Sequence, residues 1–135
     1  MKRRLFTRSG FSIPELLIAV LILAISIAAI VSFFFLSLTL NQANRNATIA
    51  ASHAQFVLEN IRNTDPASIS TQINEGGWDW DGEDLTSAGL TPLQGETIAT
   101  TGEGSGLLTV TVTIDWEDPG SRARSFSLVT MMEGA

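Results

Sequence analysis

The chain has 135 residues, a formal charge of −6 at neutral pH, no cysteine and one histidine. That length sets one globular domain as the expectation, and the missing cysteines exclude disulfide frameworks, cysteine zinc sites and thiol catalysis. The acidic balance argues against unaided nucleic-acid binding.

Charge and apolarity are unevenly distributed. Lys2, Arg3, Arg4 and Arg8 are four of the eight basic residues, and all fourteen acidic residues follow Gly10. Without this leader, four basic side chains would face fourteen acidic ones, a balance of −10. Residues 16–40 then form 25 consecutive uncharged positions whose only polar members are Ser26, Ser32, Ser37 and Thr39. As a helix this run rises about 37 Å, enough to cross a hydrocarbon core of about 30 Å. The basic end is expected to stay cytoplasmic and the acidic body to be translocated.

An ordinary secretory signal has a shorter apolar core, followed by a small-residue cleavage site. Here the unusual residues stand at the start of the run, in Gly10-Phe11-Ser12-Ile13-Pro14-Glu15. A carboxylate at the edge of a spanning helix is unfavourable, so Glu15 is a functional candidate that needs a partner. A new α-amino group on Phe11, formed by a cut after Gly10, would be such a partner. An uncleaved signal anchor is the plainer reading of the same stretch.

Gly10-Phe11-Ser12-Ile13-Pro14-Glu15-Leu16-Leu17-Ile18-Ala19-Val20 resembles the prepilin-type cleavage and methylation signature of type IV pilins and of type II secretion pseudopilins. The resemblance covers residues 2–40. It implies cleavage between Gly10 and Phe11 by a membrane-embedded prepilin peptidase, with N-methylation of Phe11. It also implies that Glu15 attracts the N-terminal amine of a neighbouring subunit. The implied partners are other pilin or pseudopilin subunits, an inner-membrane assembly platform and the lipid bilayer. The implied location is the inner membrane, as a single pass with a cytoplasmic N-terminus and a periplasmic body, and later a pilus or pseudopilus. Many major pilins carry a second proline within this segment. Here Ser32 stands there and no proline lies between Pro14 and Pro66, so a continuous helix is expected. Pro14 falls in its first turn, where a missing N–H matters little.

From Asn41 to Asn63 the composition turns polar without a break. Ala43, Ala47, Ala50, Ala54, Val57, Leu58 and Ile61 form one apolar stripe, widened by Ile49 and Phe56. The spacing predicts an amphipathic continuation of the same helix, ended by Asn63-Thr64-Asp65-Pro66. His53 lies beside the stripe and is expected as a packing or surface residue, since no second histidine exists to build a metal cluster.

Residues 64–106 show little periodicity and are expected as loop, with a weak strand over Glu96–Thr101 and a turn over 102–106. Asp79, Asp81, Glu83 and Asp84 form a calcium candidate, although the EF-hand spacing fails and a solvated loop is the plainer expectation. Trp78 and Trp80 either cover the core or form a lateral contact. In the second case, replacing both with alanine would weaken assembly without unfolding the domain.

Leu108, Val110, Val112, Ile114 and Trp116 alternate with polar residues, the period of a half-buried strand. Glu117-Asp118-Pro119-Gly120 is expected as the turn. The return strand is Ser125–Met132, with Phe126, Leu128, Thr130 and Met132 on one face. This ending is similar to that of minor pilins of the pilus-modification class. The expected fold is α+β and pilin-like, a long helix packed on a small antiparallel sheet. Its parts are a leader over 1–10, a transmembrane and polymerisation helix over 11–40, an amphipathic continuation over 41–63, and an acidic loop region with the sheet over 64–135.

There is no P-loop, dinucleotide fingerprint or Ser-His-Asp set, so neither an enzyme nor a cofactor is expected beyond the calcium candidate. The leading functional expectation is a minor type IV pilin. The alternatives are a minor pseudopilin of a type II secretion system, and a signal-anchored envelope protein that does not polymerise.

Overall fold

The computed structural model describes residues 10–104 and 106–133, and the basic leader expected to be removed lies, but for Gly10, outside the described residues. One helix, α1 (Ile13–Arg62), runs through 50 residues. Its first bond joins the Leu16 amide to the Ser12 carbonyl at 3.1 Å, so Pro14 occupies the second helical position and no hydrogen bond is lost. As the sequence predicts, the helix has no break before Arg62. The chain divides into a unit up to Thr39 and a unit from Leu40 onward.

In the first unit every described side chain is exposed. Three of the four polar residues of the apolar run bond back to the helix itself. Ser26, Ser32 and Thr39 donate to the carbonyls of Ile22, Ala28 and Phe35, at 2.8, 2.9 and 3.1 Å. Such back-bonding hides hydroxyls that would otherwise disfavour an apolar medium.

The second unit holds the rest of α1, the helices α2 (Pro66–Asn74) and α3 (Gly82–Ser87), and the strands β1 (Thr97–Glu103), β2 (Leu107–Asp118) and β3 (Arg122–Glu133). The sheet is antiparallel with order β1-β2-β3. The predicted alternation along β2 holds, because Leu108, Val110, Val112, Ile114 and Trp116 all face the core and are buried. They form one cluster with Ala50, Ala54, Val57, Leu58 and Ile61 of α1. Alanine at two of these positions shortens the distance at which helix and sheet can meet. The predicted stripe narrows at its edges, where Ala47 and Phe56 stay exposed.

Three expectations are corrected. Residues 64–106 are not mainly loop. Asp65, read as part of a helix stop, also starts α2: its side chain accepts the Ala67 amide, and Pro66 takes the first helical position. Ile69 and Ile73, four apart, then bury one face of α2. Ile73 lies so close to β1 that a Cβ on Gly102 would come 3.0 Å from its Cδ1. The predicted strand therefore runs on through Gly102 to Glu103. The β-turn also lies further along than expected. Asp118 pairs with Arg122, leaving Pro119, Gly120 and Ser121 as the loop, with Gly120 and Ser121 both at positive φ. Asp118 stays in the strand because its carboxylate is held inside the fold, as described below. Finally, of the two readings of the tryptophans, Trp78 follows the one in which it covers the core, and the lateral-contact reading does not hold for its buried side chain.

Candidate functional site

The residues singled out in the sequence start α1. Gly10 and Phe11 precede the helix and are exposed, Phe11 at 79%. Nothing in the fold lies within 4 Å of a Cβ built on Gly10. Among the described residues, none places a packing demand for glycine there. Glu15 lies in the first turn, where the helix dipole favours a negative charge. It is exposed and makes no ion pair among the described residues. Beyond it, the apolar window of α1 has none of its residues buried. Phe33, Phe34 and Phe35 are exposed at 73, 62 and 64%. This surface is a continuous apolar sleeve with one carboxylate at its head.

The four carboxylates of the calcium candidate do not converge on one point. Asp81 caps α3 by accepting the amides of Glu83 and Asp84 at 2.8 and 3.1 Å, and Asp84 accepts the Asp81 amide at 3.2 Å. That reciprocal arrangement is a capping box. Asp79 instead accepts the Thr100 amide at 2.8 Å. No group of three or more metal-ligating side chains forms among the described residues.

The segment around the tryptophans closes one edge of the sheet. Trp80 and Ile98 exchange backbone hydrogen bonds at 3.0 and 2.7 Å. Thr100 adds its bond to Asp79 and a second from its hydroxyl to the Trp78 carbonyl at 3.2 Å. The outward amide and carbonyl of Ile98 and the outward amide of Thr100 are thus paired, which closes that part of the β1 edge. Trp80, half-buried, sets its ring against Phe56 with centroids 6.1 Å apart.

Two buried polar knots went unrecognised in the sequence. His53 Nδ1 lies 2.7 Å from Glu96 Oε1, both side chains being buried, while Glu96 Oε2 accepts the Leu93 amide. His53 is thus a packing residue with a carboxylate partner 43 positions away. Asp118 is also buried. It accepts from Asn46 Nδ2 at 2.8 Å, Trp116 Nε1 at 3.2 Å and Arg124 Nε at 3.1 Å. The Asn46 bond, ahead of those from Trp116 and Arg124, holds the Asp118 carboxyl below its ordinary value. These knots fasten α1 to the approach to β1 and to the β2–β3 hairpin.

Along the other side of the sheet, a groove of about 390 Å³ runs between α1 and β3, lined by Leu58, Glu59, Arg62 and Leu128–Thr130. Arg62 reaches the Thr130 hydroxyl at 3.5 Å.

Fold and surface together define a class: a chain with, among the described residues, one helix long and apolar enough to cross a membrane, whose second half is built into a small α+β domain. No family model, curated protein or solved structure matches the chain.

Proposed function

We propose that this chain is a non-enzymatic subunit of a type IV pilus, of the minor pilin class. It is made as a single-pass inner-membrane precursor with a periplasmic body, cut between Gly10 and Phe11 by a prepilin peptidase, and N-methylated on Phe11. The observation that carries this reading is the position of the motif. Gly10-Phe11 and Glu15 stand at the head of an unbroken helix whose first half is exposed and apolar and whose second half packs on a sheet. A membrane anchor alone has no use for such a head. Glycine at position 10 answers no packing need among the described residues, but an unhindered backbone suits entry into a protease cleft.

The mechanism is transfer from lipid to a helical fibre core. In a medium of low dielectric an unpaired carboxylate is strongly disfavoured, and an opposite charge at close range offsets that. Glu15 of one subunit facing the Phe11 amine of its neighbour supplies the match. The apolar sleeve then exchanges lipid contacts for helix contacts.

A minor pseudopilin of a type II secretion system would share all these features. The sequence feature that leaned that way, a calcium loop at 79–84, has its carboxylates on backbone amides at Asp79, Asp81 and Asp84. Intact-mass measurement of the mature protein tests the reading. The expected species begins at Phe11 and carries one extra methyl group. A retained leader, or an N-terminus elsewhere, overturns it in favour of a signal-anchored envelope protein.

A further inference from the structure

We propose that, in the membrane-bound chain, the β2–β3 turn rests in the phospholipid headgroup layer, where Arg122 at the turn and Arg45 on α1 contact lipid phosphates. The inference rests on the membrane span of the reading above, and on neither the cut nor polymerisation.

Two contacts fix how the sheet lies along the helix. Asn46 bonds Asp118, and Ala43 and Asn44 line one cleft with Asp118 and Arg124. Sixteen residues further along α1, Arg62 reaches Thr130. β3 therefore runs in the same direction as α1. The loop Pro119-Gly120-Ser121 in turn projects past Asn46 toward Leu40, the last residue of the uncharged run. A helix rises about 9 Å from Leu40 to Asn46. One or two further residues of hairpin, at about 3.3 Å each, recover most of that interval. The headgroup region beyond the hydrocarbon core is about 5–7 Å deep on each side, so the turn falls within its reach.

Charge agrees with that placement. Past Leu40 the chain has four cations, Arg45, Arg62, Arg122 and Arg124, and all but Arg62 belong to this end. Arg124 is engaged by Asp118. Arg45 and Arg122 are exposed and make no ion pair among the described residues. The acids at this end are Asp115, Glu117 and Asp118. Asp118 is buried under three hydrogen bonds. Asp115 and Glu117 alternate with the core-facing residues of β2, so they leave the sheet on the face turned away from α1. Arg122, opposite Asp118 in register, stands on the α1 face. The loop itself carries no acid. This end is thus balanced, three cations against three acids, whereas Arg62 alone stands against the other ten acids past Leu40. An anionic bilayer surface repels the balanced end least. The two free guanidinium groups, on long stems, are suited to reach phosphate oxygens with paired N–H donors.

The chain has no cysteine, so Ser121→Cys and Ser70→Cys each accept a single fluorophore. Position 121 is in the turn. Position 70 is exposed on α2, whose Ile73 packs on Gly102 at the other end of the sheet. The test uses the full chain in vesicles of phosphatidylethanolamine and phosphatidylglycerol that include a lipid with a nitroxide on its headgroup. Flotation with the vesicles checks insertion, and circular dichroism checks folding. Quenching is expected to be strong at position 121 and near background at position 70. Arg45→Gln and Arg122→Gln are each expected to lower the docked-to-undocked ratio read at position 121 by about fivefold. Equal quenching at the two positions overturns the proposal. So does quenching at position 121 that neither glutamine variant changes, since the helix alone would then hold the turn there. Intact mass of the chain from its native membrane is read beside this. A chain beginning at methylated Phe11 without the quenching removes the headgroup contact alone, and quenching by a chain that retains its leader removes the pilus reading alone.

Discussion

Asp118 shows what a single buried carboxylate does for this fold. Asn46 is 72 positions away from it in sequence, yet contributes its shortest hydrogen bond. Because its pKa is lowered in the folded state, its contribution is fully present above the ordinary carboxyl value of about 4 and is lost as pH falls through the lowered folded value. Asp118→Asn is therefore expected to lower the melting temperature at neutral pH, and the difference from the natural chain is expected to shrink as the pH falls below about 4. Thermal unfolding followed from pH 7 downward checks both. His53→Leu takes the partner from the buried Glu96 Oε1, and a buried polar atom left unsatisfied costs about 1–3 kcal/mol. Urea unfolding measures it, and Glu96→Gln with His53 intact should be milder, since an amide can still bond the ring.

At the scale of elements, the same short polar signals that stop one helix start another. Asn63-Thr64-Asp65-Pro66 ends α1 as expected, but the same Asp-Pro pair opens α2. Asp81 with Asp84 three residues on was read as a metal candidate and is the cap of α3. Both start signals were legible, as aspartate before proline and as the capping-box spacing. They were hidden because the helices they open are only 9 and 6 residues long, too short to show periodicity. The tryptophan test also changes at this scale. Trp78→Ala is now expected to destabilise the domain by about 3–5 kcal/mol, as truncating a buried aromatic does. It can no longer separate assembly from folding. Asp79→Ala is a sharper probe of the covered β1 edge, with faster amide hydrogen exchange expected at Thr100 and little change in β2.

At the scale of the whole molecule, the long helix serves two environments with one backbone. Its first half keeps every described side chain outward, and its second half buries alanines, Val57, Leu58 and Ile61 against the sheet. Loss of sheet packing should therefore leave the first half helical. Ile114→Ala, at a fully buried site, is expected to cost about 2–5 kcal/mol and to melt the body in detergent. A residual helical signal from the apolar half should persist, which far-ultraviolet circular dichroism follows. Glu15→Ala acts at the other end. On the proposed function it is expected to insert and be cut normally yet to enter filaments poorly, as scored by the ratio of filament-bound to membrane-bound chain. Normal incorporation would remove the charge-pairing mechanism.

By itself the sequence determined the features that depend on neighbours a few residues apart. These are the apolar run, the uninterrupted helix that has Pro14 in its first turn and stops before Asn63, the alternation along β2 and the motif that heads the helix. Periodicity and the absence of proline act within one or two turns or one pleat, so they can be read in one dimension. Only the tertiary structure decided which polar residues would be buried and with whom, which edge of the sheet would be covered, and where the hairpin would turn. Glu96, the partner of His53, is 43 residues away, and Asn46, which gives Asp118 its shortest bond, is 72 away, so neither pairing shows in a local stretch of sequence. The head of the helix stands at the opposite extreme. Gly10, Phe11 and Glu15 are read from a short run of neighbours, and the structure adds that all three are exposed.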